Sequence, residues 1–290
     1  MVICIIAVMN VKRLTLAIGM QGILIAAYAQ DSCDQQLVRH GEWKETAGTQ
    51  WNLELKSSGK GSLFYYGARH ADEPADPQFA EISAHFDRVK PTVVFYEGPD
   101  RGIAATGPET ITRFGESGYI RFLASRAGIR SMPLEPAFPD TYGYLISRYP
   151  QEQVDIYMLS KEAMRLRTRK DYTREQIVAE IGGMLKAVGK MLGRETAIGS
   201  VEALDQAFTK YWGNKLQWWE APQDWFDPHK QSSETGGIFT NEINALSSDF
   251  RDVHMYRVLA EQVNRGERVM AVVGRNHVPL QAPALKCAIK

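Results

Sequence analysis

The 290-residue chain carries 34 basic and 34 acidic residues, and 44% of it is hydrophobic. A net charge of zero removes the electrostatic case for binding nucleic acid or an anionic membrane surface. The apolar content suffices for one sizeable core, and no Cys-x-x-Cys, P-loop or Gly-x-Gly-x-x-Gly after a strand points to a redox or nucleotide site.

In chain order, residues 1–29 read as a signal peptide. Lys12 and Arg13 precede a mostly apolar run, Leu14 to Ala27, and Ala27-Tyr28-Ala29 fits a peptidase site with cleavage before Gln30. A start at Met9 gives the conventional form, without the apolar stretch ahead of the basic pair. The expectation is a periplasmic or secreted protein, residues 30–290, with no membrane span after signal cleavage. Two cysteines then remain, Cys33 and Cys287. An oxidising compartment makes a disulfide between them the economical expectation.

Trp51 to Lys56 alternates like a strand, and Ser57 to Ser62 reads as a turn. Leu63–Tyr66 is a β-run leading to His70. Asp76-Pro77 opens a helix carrying Phe79, Ile82, Phe86 and Val89, which Lys90-Pro91 stops. The next strand, Thr92 to Tyr96, ends in Glu97-Gly98-Pro99. A helix over Glu109 to Ala127 and a strand from Gly128 to Pro133 follow, the latter running into Leu134-Glu135-Pro136. This β-α-β-α-β order predicts an α/β fold with a central, mostly parallel sheet flanked by helices. Helical composition over Gln151 to Arg167, Thr173 to Leu192 and Val201 to Trp212 predicts a helical middle insertion. The aromatic segment 211–229 reads as packing that caps it, with a substrate groove as the alternative. A helix over Ser247 to Asn264 and a strand over Val269 to Val273 complete the pattern.

Chemistry is concentrated where strands end. Gly67-Ala-Arg-His70 follows one apolar run and Gly274-Arg-Asn-His277 another. A glycine at a strand end permits a sharp turn, and the carboxyl rim of a parallel sheet is where ligands bind. Two imidazoles on one rim predict a metal site or an acid–base pair. Glu97 ends a third run, and a buried carboxylate there needs a partner or an ion. His70, His277 and Glu97 therefore make a candidate set for a divalent metal such as Zn, Mn or Co. Glu135 is a candidate fourth ligand, general base or orienting group. Arg251, on the polar side of the helix before the second motif, is a candidate for oxyanion stabilisation or for binding a substrate carboxylate. Asp252 and His254 are weaker candidates. Arg69 and Arg275 are candidate substrate contacts, and His40, His85 and His229 read as surface or structural.

Gly67-Ala-Arg-His70, Tyr96-Glu97-Gly98-Pro99, Arg251 with Met255, and Val272-Val-Gly274-Arg-Asn-His277 together resemble the TraB/PrgY/GumN family. That family is grouped with Tiki proteases, erythromycin esterase-like enzymes and ChaN-like haem-binding proteins. The resemblance implies a central-sheet α/β fold with His70, Glu97, Arg251 and His277 around one site. It implies a hydrolase, metal-dependent and acting on a peptide amide or small ester. The alternatives are a metal-free esterase using histidine as base and a non-catalytic haem or metal binder. Two departures stand out: Arg275-Asn276 where relatives carry a small residue, and Arg251-Asp252 where the helix motif often reads Arg-Asn.

Overall fold

The structure, a computed structural model, is described here for residues 32–193 and 195–290. The expected signal peptide lies outside the described residues. The fold is α/β, as expected. Five strands, β1 (Asn52–Lys56), β2 (Ser62–Ala68), β3 (Val93–Tyr96), β4 (Arg130–Pro133) and β5 (Arg268–Gly274), form one sheet in the order β1-β2-β5-β3-β4. Only β1 runs antiparallel to its neighbour; β2, β5, β3 and β4 are parallel. The central strands are continuous apolar runs because helices cover both of their faces.

Successive side chains of a strand point to opposite faces, so each strand feeds two cores. Phe64, Tyr66, Val94, Tyr96, Met270 and Val272 pack under α1 (Pro77–Val89) and α2 (Gly107–Arg126). Leu63, Tyr65, Phe95, Ala271 and Val273 pack under the C-terminal helices. The Asp76 side chain caps α1 by accepting from the Gln78 backbone N–H, and Pro77 occupies its first turn.

The middle of the chain is helical: α3 (Phe138–Ile146), α4 (Gln151–Lys170), α5 (Arg174–Leu192) and α6 (Val201–Trp212). The aromatic stretch after α6 closes their core. Trp218 is fully buried, and Trp212, Trp225 and Phe208 stack on one another. A short helix, α7 (Ser232–Thr235), leads to α8 (Thr240–Asn264), and α9 (His277–Ala288) ends the chain.

Three elements depart from the sequence reading. α8 begins at Thr240 rather than Ser247, because its first turns bury polar Thr240, Asn241 and Asn244 and so show no apolar stripe. α3 was not expected; it opens with Pro139 in its first turn. α9 was not expected either, since Pro279 and Pro283 mask its helical character; Pro279 sits in the tolerated first turn.

Cys33 and Cys287 are disulfide-bonded, with their Cα atoms 5.6 Å apart and 254 positions separating them. The bond ties the N-terminal segment to α9. Leu37 in the core, the Val38 N–H bonded to the Leu280 carbonyl, and Asp34 bonded to Tyr256 and Arg257 hold the same segment.

Candidate active site

β2, β5 and β3 are parallel neighbours, so their carboxyl ends lie side by side. The residues after them, His70, His277 and Glu97, line one cleft together with Arg251 from α8. Gly274 sits between them. A Cβ built there would stand 3.1 Å from Glu97 Oε2 and 3.8 Å from His70 Nε2. At Gly67 a Cβ would come within 2.6 Å of the Trp51 carbonyl oxygen and 2.8 Å of Arg275 Cα, so both motif glycines serve close approach.

His277 is not a strand-end residue; it opens α9 and is only 5% exposed. Its Nδ1 lies 2.5 Å from Asp252 Oδ1 and its Nε2 lies 3.5 Å from Glu97 Oε1. Asp252 is wholly buried and joins three partners. Its second oxygen is 2.9 Å from His40 Nε2, and Gln281 Nε2 donates to its first at 2.7 Å. The Tyr65 hydroxyl in turn donates to Gln281 Oε1. Burial opposes charge on the His277 ring, but Asp252, with Glu97 adding to it against Arg251, pushes its pKa up to about 9. Burial would likewise raise the Asp252 carboxyl, yet His277 and His40 hold it well below the usual range.

Glu97 faces the cleft from the other side. Its Oε2 accepts the Gly274 N–H at 2.6 Å, and its Oε1 lies 3.8 Å from the Arg251 guanidinium. Burial opposes its ionisation; His277, Arg251 and the Gly274 N–H outweigh burial and hold it well below the usual carboxylate range. Arg251 also donates to Glu135 at 2.8 Å, while its buried Nε has no hydrogen-bond partner. It is a cleft residue, not a solvated helix-surface one. Glu135 thus stands behind Arg251, in the orienting place among the three roles open to it.

His70 is the exposed member, with its side chain 68% accessible. Its Nδ1 is 2.7 Å from Glu116, a buried carboxylate on α2. That hydrogen bond is the main cause of a raised His70 pKa, against the opposing effect of burial. Glu116 reaches the rim because α2 breaks at Gly115, whose φ of 59° and ψ of −151° suit glycine alone. A Cβ there would stand 3.0 Å from the Ala71 carbonyl oxygen.

The structure corrects several expectations. His40 is not at the surface: it is 5% exposed, lines the cleft and contacts Asp252. Asp252 is buried behind the cleft lining, where it contacts His277 and His40; His254 also lies outside the lining and contacts neither ring. Arg69 and Arg275 both line the cleft, as a substrate contact requires, while Arg69 pairs with Asp76 and Arg275 with Glu45 and the Trp51 ring. Glu116 and Gln281 were missed. The signal for Glu116 was Gly115 in mid-helix, a common cause of kinks; for Gln281 it was the one-turn spacing from His277.

His70, His277 and Glu97 offer two imidazoles and a carboxylate, the donor types that suit Zn, Mn or Co. Each imidazole has Nδ1 against a buried carboxylate, the arrangement that fixes a metal-binding ring with Nε2 outward. Gly274 leaves open the space between Glu97 and His70 that a side chain would fill. Among the described residues, no three or more His, Cys, Asp or Glu side chains are already gathered as a group that could hold an ion. No helix among them is long and apolar enough to cross a membrane. Comparison with protein-family models, curated proteins and solved structures finds no match for this chain.

Proposed function

We propose that this protein is a divalent-metal-dependent hydrolase of the TraB/PrgY/GumN type, exported to the periplasm or exterior, that cleaves a peptide amide or small ester bond. One observation carries the reading: two imidazoles, each backed at Nδ1 by a buried carboxylate, face a shared glutamate across an open glycine. Structural histidines need one partner; here His277 has a second at Nε2, Glu97, and His70 turns its exposed ring into the same cleft, an arrangement suited to act on something between them. The Cys33–Cys287 disulfide supports export, since such bonds persist in oxidising compartments.

His70, His277 and Glu97 would hold the ion. When bound, it supplies Lewis acidity and lowers the pKa of water towards about 7. Asp252 and Glu116 are positioning residues, each fixing the tautomer and orientation of one ring. Arg251, held by Glu135 and buried at its Nε, presents positive charge to an oxyanion or a substrate carboxylate. Its rigidity matters, because a preorganised charge needs no rearrangement as the transition state forms.

The test is hydrolysis of peptide and ester libraries before and after exhaustive chelation. The expected result is loss on chelation and recovery with Zn²⁺, Mn²⁺ or Co²⁺. His70→Ala and His277→Ala should each abolish turnover in folded protein, and Arg251→Ala should slow it by roughly two to three orders of magnitude. A second reading is favoured by the His70–Glu116 pair, which has the form of an oriented general base. Full activity after chelation, with no metal by elemental analysis, would select that metal-free version. Tight haem or metal binding without hydrolysis of any substrate would select a binding protein instead.

A further inference from the structure

The cleft is larger than a catalytic rim requires. It encloses about 1090 Å³ and runs from His70, Glu97 and His277 into the helical middle, between α4 and α5. Typical small-ligand pockets span roughly 300–1,000 Å³. Its far arm is lined by Met158 and Met164 of α4 and Met184, Leu185 and Val188 of α5. The polar side chains along that arm already have partners. Arg165 pairs with Glu162, and Lys161 bonds to Tyr157 and Asn244. Asp155 accepts from Tyr142 and from the backbone N–H groups of Ala197 and Ile198. What is left facing the arm is methionine and aliphatic surface, which adapts to varied apolar shapes.

A second hollow of about 410 Å³ lies on the other side of His70. It is lined by charged residues, among them Asp72, Arg101, Glu116, Arg121 and Glu135. The two hollows share three residues, His70, Glu97 and Arg169. Arg169 is exposed and forms no hydrogen bond or ion pair among the described residues. A reacting carbonyl at His70 and Glu97 therefore has an apolar arm on one side, a charged hollow on the other, and an unpaired cation at the junction.

We propose that the substrate is an amphiphile: a long or bulky apolar group, acyl chain or apolar peptide side chain, occupies the methionine-lined arm, while its polar remainder lies in the charged hollow. This rests on the hydrolase reading for the position of the reacting bond, but not for the existence of the apolar subsite. Arg169 supplies the complement to a carboxylate at the junction, so a fatty carboxylate mimics the acid product of such a substrate.

The probe is a series of straight-chain carboxylates from acetate to dodecanoate, titrated into the full-length mature protein by calorimetry below their micelle concentrations. Affinity should climb roughly threefold per methylene over the first several carbons, and by at least about a hundredfold from acetate to dodecanoate. Met184→Lys, checked for folding by circular dichroism, should remove most of that gain, and Arg169→Gln should weaken every member by a similar factor. Equal affinity for acetate and dodecanoate in the wild-type protein would overturn the proposal, and so would a chain-length gain that persists undiminished in folded Met184→Lys. Dodecanoate preference without hydrolysis of any peptide or ester would sustain the subsite and sink the hydrolase reading. Hydrolysis of acetyl and dodecanoyl esters at equal kcat/KM, with no dodecanoate preference, would do the reverse.

Discussion

Replacing Asp252 by Asn tests the electrostatic heart of the site while keeping its shape. In the metal-free protein, His277 has its pKa pushed up to about 9 despite complete burial, with Asp252 the largest opposing influence. An imidazole of ordinary pKa, about 6.5, in the unfolded chain therefore binds its proton more tightly when folded. The linked stability is fully present below pH 6.5, erodes as pH rises, and is lost above about 9. A gap of some 2.5 units at about 1.4 kcal/mol each amounts to roughly 3 kcal/mol. Little solvent screening applies, since His277 is 5% exposed and Asp252 wholly buried. Asp252→Asn removes the charge but leaves the burial, which alone drives the His277 pKa down.

Urea denaturation of chelated wild-type and variant protein at pH 6 and pH 10 reads the difference directly. The stability gap between the two proteins should be about 3 kcal/mol wider at pH 6 than at pH 10. Comparing the gap, rather than either curve, cancels the lysines and tyrosines that also titrate in this window. Imidazole NMR should place His277 near 9 in the wild type and below 6.5 in the variant. A pH-independent gap, or His277 titrating near 6.5 in both proteins, would refute the reasoning.

Two further predictions bear on how the site is held. Cys33→Ser with Cys287→Ser opens a loop of 254 positions, and the chain-entropy estimate is a loss of roughly 5 kcal/mol; an unchanged urea midpoint would sink it. Gly115→Ala should destabilise by roughly 1–3 kcal/mol, because φ of 59° with ψ of −151° is strained for alanine, and should lower turnover by displacing Glu116 from His70. Wild-type turnover and stability in that variant would show that the kink does not position Glu116.

The sheet was legible because its three central strands, β2, β3 and β5, are apolar runs at parallel-sheet spacing, and runs such as Val93–Tyr96 leave little ambiguity. The rim residues His70, Glu97 and His277 were legible for the same reason: each follows a run whose end is marked by glycine. The groups behind them were not. Asp252, Glu116, His40 and Gln281 act across 25 to 212 positions of sequence, and their burial depends on tertiary packing that no local pattern encodes. His40 is the extreme case. It comes from an irregular N-terminal segment, which long-range contacts alone bring onto α8: the disulfide, Leu37, Asp34 with Tyr256 and Arg257, and Arg39 with Asp249. Polar residues that orient others leave no periodic trace, whereas apolar ones that build the frame do.

Asp252 stands where the family that the motifs resemble often carries asparagine, and on the proposed metal-dependent reading this would change how the site is loaded. An asparagine would orient the His277 ring through a neutral hydrogen bond. Asp252 orients it and raises its proton affinity together. On the proposed metal-dependent reading, ligation would require the neutral ring, so at pH 7 an incoming ion would have to displace a proton held with a pKa of about 9. That competition weakens binding near neutrality. The same carboxylate also strengthens the ring as a donor once the proton has left. The surrounding charges favour the exchange: Glu97, Glu135 and Asp252 stand against Arg251 and the imidazolium, so three carboxylates face two cations. A divalent ion in place of the single proton brings that group to balance. On that reading Asp252 would make loading steeper in pH rather than simply weaker, and the site would gain affinity as pH rises from neutrality towards 9.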